Sequence, residues 1–185
     1  SKQLGIDTFS CAGGAIADDF DNDGDLDIVT SDYDPSGQLR YFQNEGDRGF
    51  IDQTEKANLI GITGGLNLNQ ADFNNDGHVD IFVMRGGWFG EAGQHPNSLL
   101  KNNGDGTFDD VTILAGLAER NRPCQTSSWA DYDLDGDLDL IVGNEPCGNT
   151  KSPCQLYRNN GDETFTYVSP QAGVEVEAFT KAIVW

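Results

Sequence analysis

The chain has 185 residues and a mass of 20.1 kDa, the size of about one domain. Acids outnumber bases 31 to 11, giving a formal charge of −20 that repels nucleic-acid phosphates and anionic lipid; with no apolar run of spanning length, nucleic-acid binding and membrane insertion are both excluded. Hydrophobic residues at 37% and aromatics at 10% exceed what a disordered acidic chain carries, so a packed core is expected.

In chain order, Ser1 to Gly5 contain no apolar signal segment, and the chain is expected to be processed or cut from something longer. Gly13-Gly14 then suits an innermost strand, where neighbouring sheets crowd together. The acidic loop Asp19-Phe-Asp-Asn-Asp-Gly-Asp-Leu-Asp27 follows, with Leu26 and Ile28 alternating at period two into a strand. Next come Leu39-Arg-Tyr-Phe-Gln-Asn44 with Gly46, a strand opened by Phe50, and Ala57-Asn-Leu59. Thr54 to Ile60 offers at best one helical turn.

The order then repeats. Gly64-Gly65 leads to Asp72-Phe-Asn-Asn-Asp-Gly-His-Val-Asp80, the alternating Val79, Ile81 and Val83, then Leu99-Leu-Lys-Asn-Asn103 with Gly104 and Phe108, and Ala115-Gly-Leu117. The third pass runs through Asp131-Tyr-Asp-Leu-Asp-Gly-Asp-Leu-Asp139, then Leu138, Leu140 and Val142, Leu156-Tyr-Arg-Asn-Asn160 with Gly161 and Phe165, and Ala172-Gly-Val174. The acidic loops lie 53 and 59 residues apart and the phenylalanines 58 and 57 apart. Trp185 falls at the repeat position of Trp129, and both read as packing residues.

Each unit therefore predicts four short strands, two of them flanking the acidic loop and two joined by an Asn-Gly hairpin turn. That is the size of a propeller blade. The predicted fold class is all-β: a β-propeller segment of three four-stranded blades plus the first strand of a fourth, forming one partial domain over 1–185. The repeats are placed at about 5–57, 58–115 and 116–172, with 173–185 starting another. Its two open flanks have unpaired backbone groups, which calls for further blades in the same chain or in neighbouring copies.

The acidic loops place oxygen donors at positions 1, 3 and 5, glycine at 6 and aspartate at 9. Alternate residues of a tight turn point inward, and the glycine permits a left-handed kink that brings the carbonyl of position 7 to the same centre. The expected ligands are Asp19, Asp21, Asp23 and Asp27 with the carbonyl of Asp25, and Asp72, Asn74, Asp76 and Asp80 with the carbonyl of His78. In the third loop they are Asp131, Asp133, Asp135 and Asp139 with the carbonyl of Asp137. An EF-hand opens the same way but needs a glutamate at position 12 and a following helix. Position 12 is Thr30, Val83 or Val142, each in a predicted strand. Calcium, one ion per loop, is expected over magnesium because many oxygens on a flexible loop suit its larger shell. The millimolar calcium such sites need points to an extracellular, cell-surface or periplasmic location.

The acidic loops together with Leu156-Tyr-Arg-Asn-Asn160, Gly161 and Phe165 resemble the FG-GAP/VCBS repeats of integrin-α-type propellers. Arg85-Gly-Gly-Trp88 running to His95-Pro96-Asn97-Ser98-Leu99-Leu100 is similar to the cartilage acidic protein and UnbV class. The resemblance spans about residues 5–185. It implies a seven-bladed, calcium-bound propeller, secreted or surface-exposed, that serves adhesion or ligand binding, often beside a separate C-terminal domain. Against that pattern, these 185 residues are expected to span three blades without the C-terminal domain, and their second loop is made less acidic by Asn74 and His78.

No catalytic constellation is visible. His78 and His95 read as solvated, and the clustered acids are committed to metal. Glu91, Glu119 and Glu145 are free of the loops, and Trp88 and Phe89 adjoin Glu91, so the alternative is a propeller that binds or cleaves polysaccharide as lectin, lyase or glycosidase. An aromatic wedge between blades is preferred for Trp88 and Phe89. The partner is then a protein or glycan ligand of unspecified identity. Four cysteines allow three connectivities, of which a Cys147–Cys154 bridge is preferred over Cys124–Cys147.

Overall fold

A computed structural model describes residues 5–6, 12–34, 36–146 and 151–185. The first sheet holds β1 (Ala12–Asp18), β2 (Asp27–Asp32), β3 (Arg40–Asn44) and β4 (Phe50–Asp52). The second holds β5 (Asn67–Ala71), β6 (Asp80–Met84), β7 (Ser98–Asn102) and β8 (Phe108–Asp110). The third holds β9 (Cys124–Ala130), β10 (Asp139–Asn144), β11 (Gln155–Asn159) and β12 (Phe165–Tyr167). Every sheet is an antiparallel meander in sequence order. The inner strands lie side by side, β1 by β5 and β5 by β9, which is the arrangement of propeller blades; three such sheets do not close a ring.

Glycine permits that closeness. A side chain at Gly13 would strike the Gly65 carbonyl, and one at Gly65 the Met84 carbonyl, as the Gly-Gly pairs in the sequence predict. Among the described residues, α-helix is confined to the turn α1 (Ser169–Ala172), and Gly46–Arg48 and Gly90–Gly93 form short 3-10 turns. The counterparts of α1 close through Ala57 N–H on the Gln53 carbonyl and Ala115 N–H on that of Val111, both at 2.8 Å.

Two apolar cores separate the three sheets. Val29, Tyr41 and Phe20 of the first unit meet Ile81, Val83, Leu100 and Phe108 of the second. Phe82, Met84 and Leu99 of the second meet Leu140, Val142 and Phe165 of the third. The middle strand β6 is buried along its whole length because it feeds both cores. Each loop's second residue also reaches forward, Phe20 to Phe108 at 5.9 Å and Phe73 to Phe165 at 5.8 Å between ring centroids.

Three expectations need correction. Residues 173–185 contain no strand: a first strand pairs with the second strand of its own unit, and the 185 residues include no second strand for that unit. The segment instead bonds to the third sheet, through Cys154 N–H on the Val176 carbonyl and Thr180 N–H on that of Asn144, while Trp185 stacks on Tyr132 with centroids 6.2 Å apart. Leu26 is 60% exposed and Ile28 only partly buried, because the face of the first sheet they occupy has no sheet against it; the inward residue of β2 is Val29. Cys124 and Cys154 are buried free thiols on either side of β10, while Cys147, the end common to both bridges considered, lies outside the described residues.

Candidate metal centres

The three acidic loops join the first to the second strand of each sheet, all at the same end. Their backbones curl alike. The position-1 carboxylate accepts N–H bonds from positions 5 and 6: Asp19 from Asp23 and Gly24, Asp72 from Asp76 and Gly77, Asp131 from Asp135 and Gly136, at 2.9–3.1 Å. The position-5 carboxylate then accepts from position 7, as Asp23 does from Asp25, Asp76 from His78 and Asp135 from Asp137. Gly24, Gly77 and Gly136 supply the kink with φ of 94°, 89° and 99°.

These turns bring carboxylate oxygens of Asp19, Asp21 and Asp23 within 4.8 Å of one another, and likewise those of Asp131, Asp133 and Asp139. The second loop forms no such group of three acids, since its position 3 is the amide Asn74. The donors are all oxygen, the chemistry that suits a hard cation.

Position 7 turns its side chain away from the loop centre. Asp25 lies near Gly46, His78 against Gly104 and Asp137 against Gly161, where a side chain on either of the last two glycines would collide. That leaves the backbone of position 7 to the loop. Position 9 is the most deeply placed: Asp27, Asp80 and Asp139 are at most 1% exposed. One oxygen of each accepts the N–H of position 2, from Phe20, Phe73 and Tyr132, and the other that of the hairpin residue Asn44, Asn102 or Asn159. Burial raises the pKa of all three, and pushes that of Asp80 up to about 7, with Asp76 and Asp72 adding to the effect.

The hairpin asparagines have a role that the sequence reading did not assign. Asn102 Nδ2 donates to the Val79 carbonyl in its own sheet and to the Phe20 carbonyl of the preceding loop, at 3.1 and 2.9 Å. Asn159 does the same to Leu138 and Phe73, at 3.1 and 2.8 Å. Neighbouring loops also touch directly, Asn22 Nδ2 with His78 Nδ1 and Asn75 Nδ2 on Asp137 Oδ1, each at 2.9 Å. Around the second loop, the Glu163 carboxylate from the third sheet's hairpin accepts from Asn74 Nδ2 and pairs with Lys101. The signal for the asparagines was present in their fixed place before each hairpin glycine.

The other candidates lie away from these loops. Trp88 is 61% exposed with φ of 72°, at the opposite end of the sheets, and the aromatics there bridge the first two units: Tyr33 of the first lies 5.9 Å from Trp88 and stacks on half-buried Phe89 at 4.9 Å between centroids. The Trp88 N–H donates to buried Glu145, and Glu91 is exposed.

An FG-GAP-like repeat model matches residues 19–83 and 88–142, spans that contain all three acidic loops. Human cartilage acidic protein 1 is 31% identical over 93 residues, 50% of this chain and 13% of that protein. The Xenopus tropicalis protein of the same name is 32% identical over 100 residues, 52% of this chain and 14% of its own length. The chain thus spans a small fraction of the curated relatives it matches. A match over more than half of its residues, falling on the repeated loops that the sheets hold in register, makes this protein a member of the FG-GAP-like repeat family.

Proposed function

We propose that the chain is a calcium-loaded repeat module that works outside the cytosol as a structural, ligand-presenting scaffold. The observation that carries this is the convergence of three carboxylates within 4.8 Å in the first loop and again in the third. Uncompensated, such groups repel. The backbone N–H bonds that fix the loops leave further carboxylate lone pairs for an ion, and calcium suits an all-oxygen set on a turn. Asp19, Asp21 and Asp23 would hold one ion and Asp131, Asp133 and Asp139 another; the second loop would use Asp72, Asn74 and Asp76. The relatives are named for cartilage and for acidity, which supports an extracellular setting.

With Kd of ~10–100 μM in ~1 mM calcium, each ion adds roughly 1.4–2.7 kcal/mol. For a chain this size, that is a Tm change of roughly 3–10 °C per site. Calorimetric titration of the metal-stripped chain should give about three calcium ions bound, and EDTA should lower the Tm of the loaded form. Asp21→Asn with Asp133→Asn should weaken the two acid-rich sites. A chain whose melting and calorimetry ignore calcium would overturn the proposal.

A further inference from the structure

We propose that a cavity in the third unit, at the end of the sheet away from its acidic loop, binds a small acidic sugar through Arg120, Arg122 and Lys151. The cavity has a volume of about 420 Å³. The chain holds only 11 lysines and arginines against 31 acids, and three of those 11 line this one space. The corresponding cavity of the second unit, lined by Pro96, Ser98, Asp110 and their neighbours, has no lysine or arginine in its wall. The concentration of positive charge therefore belongs to this unit and does not follow from the repeat.

The cations are arranged for an oxyanion. The Arg120 guanidinium lies over the Tyr167 ring, 4.1 Å from its centroid, a cation–π contact that holds the fork without taking up its N–H donors. Among the described residues, Arg122 donates only to the Asn121 carbonyl at 3.4 Å and neither arginine is in an ion pair. The cavity already takes carboxylates from its own chain: Lys151 pairs with Glu177 at 2.9 Å, and the Tyr167 hydroxyl donates to Glu175 at 3.0 Å. Glu175 and Glu177 of the same wall are thus held by those two donors, and two planar guanidinium forks that match a carboxylate are left outside any ion pair among the described residues.

Size and field narrow the class. A space of this volume is at the low end of small-molecule sites and admits a mono- or disaccharide, not a folded partner. The net charge of −20 repels polyanions at long range, so the favoured occupant has a single acidic group on an otherwise neutral, hydroxyl-rich body, as in a uronic acid.

The test is calorimetric titration of the calcium-loaded chain with a glucuronate-containing disaccharide at low ionic strength. Saturable binding with Kd of about 1 mM or tighter is expected, with none for a neutral disaccharide of the same size. Arg122→Gln, which removes no bond beyond one to a neighbouring carbonyl, should weaken binding about tenfold. Glu177→Gln frees Lys151 and should strengthen it severalfold. Absence of binding, indifference to both substitutions, or inorganic sulfate binding as tightly as the disaccharide would each overturn the assignment.

Discussion

At Asp80 both carboxylate oxygens are engaged by backbone N–H groups inside the fold, and burial pushes the pKa up to about 7. The unfolded chain releases this proton near the ordinary carboxylate value of about 4. Between those values the metal-free folded state binds more protons than the unfolded one, so its stability falls as pH rises. Melting in EDTA should therefore give a higher Tm at pH 5 than at pH 7.5, and Asp80→Asn should flatten that slope. A Tm that climbs with pH in EDTA would contradict this. The loop aspartates were legible because their geometry is local: donor spacing and a glycine at position 6 appear within nine residues. The burial of position 9 was not legible, since it depends on Asn44, Asn102 and Asn159 at 17, 22 and 20 residues' remove.

Between elements, Asn102 shows why the sheets keep register. Its side chain is fully buried and bonds the second sheet to the Phe20 carbonyl, 82 residues earlier. Asn44 has the same place in the first unit, but among the described residues its side chain bonds only within that unit, to the Leu26 carbonyl at 3.2 Å and from Gly46 N–H at 3.1 Å. Asn102→Ala should cost about 2–4 kcal/mol and Asn44→Ala about 1 kcal/mol, read from urea denaturation in saturating calcium. Equal losses would show that the bridge between sheets contributes nothing. Strand content followed from period-two patterning, and Ile81, Val83, Leu140 and Val142 are buried as that pattern predicts. Leu26 and Ile28 fit the same pattern yet escape burial, because alternation tells which face a residue takes and not whether another sheet covers it.

Across the whole molecule, the acidic loops gather at one end, and 13 of the chain's 31 acids lie in them. Self-repulsion there should make the metal-free chain unusually sensitive to ionic strength. Raising NaCl from about 20 to about 300 mM shortens the screening length from roughly 20 to 6 Å. It should raise the Tm of the EDTA-treated chain more than that of the calcium-loaded chain. An equal response in both forms would mean that the loops do not dominate the electrostatics.

The links at the acidic end have a different consequence for the other end. The chain between second and third strands differs in length from unit to unit, from Asp32 to Arg40, Met84 to Ser98 and Asn144 to Gln155. The asparagine contacts of the second and third units nevertheless coincide. Insertions in those connections therefore leave the chassis undisturbed, so one pole of the module is free to diversify its surface while the other keeps the array in step.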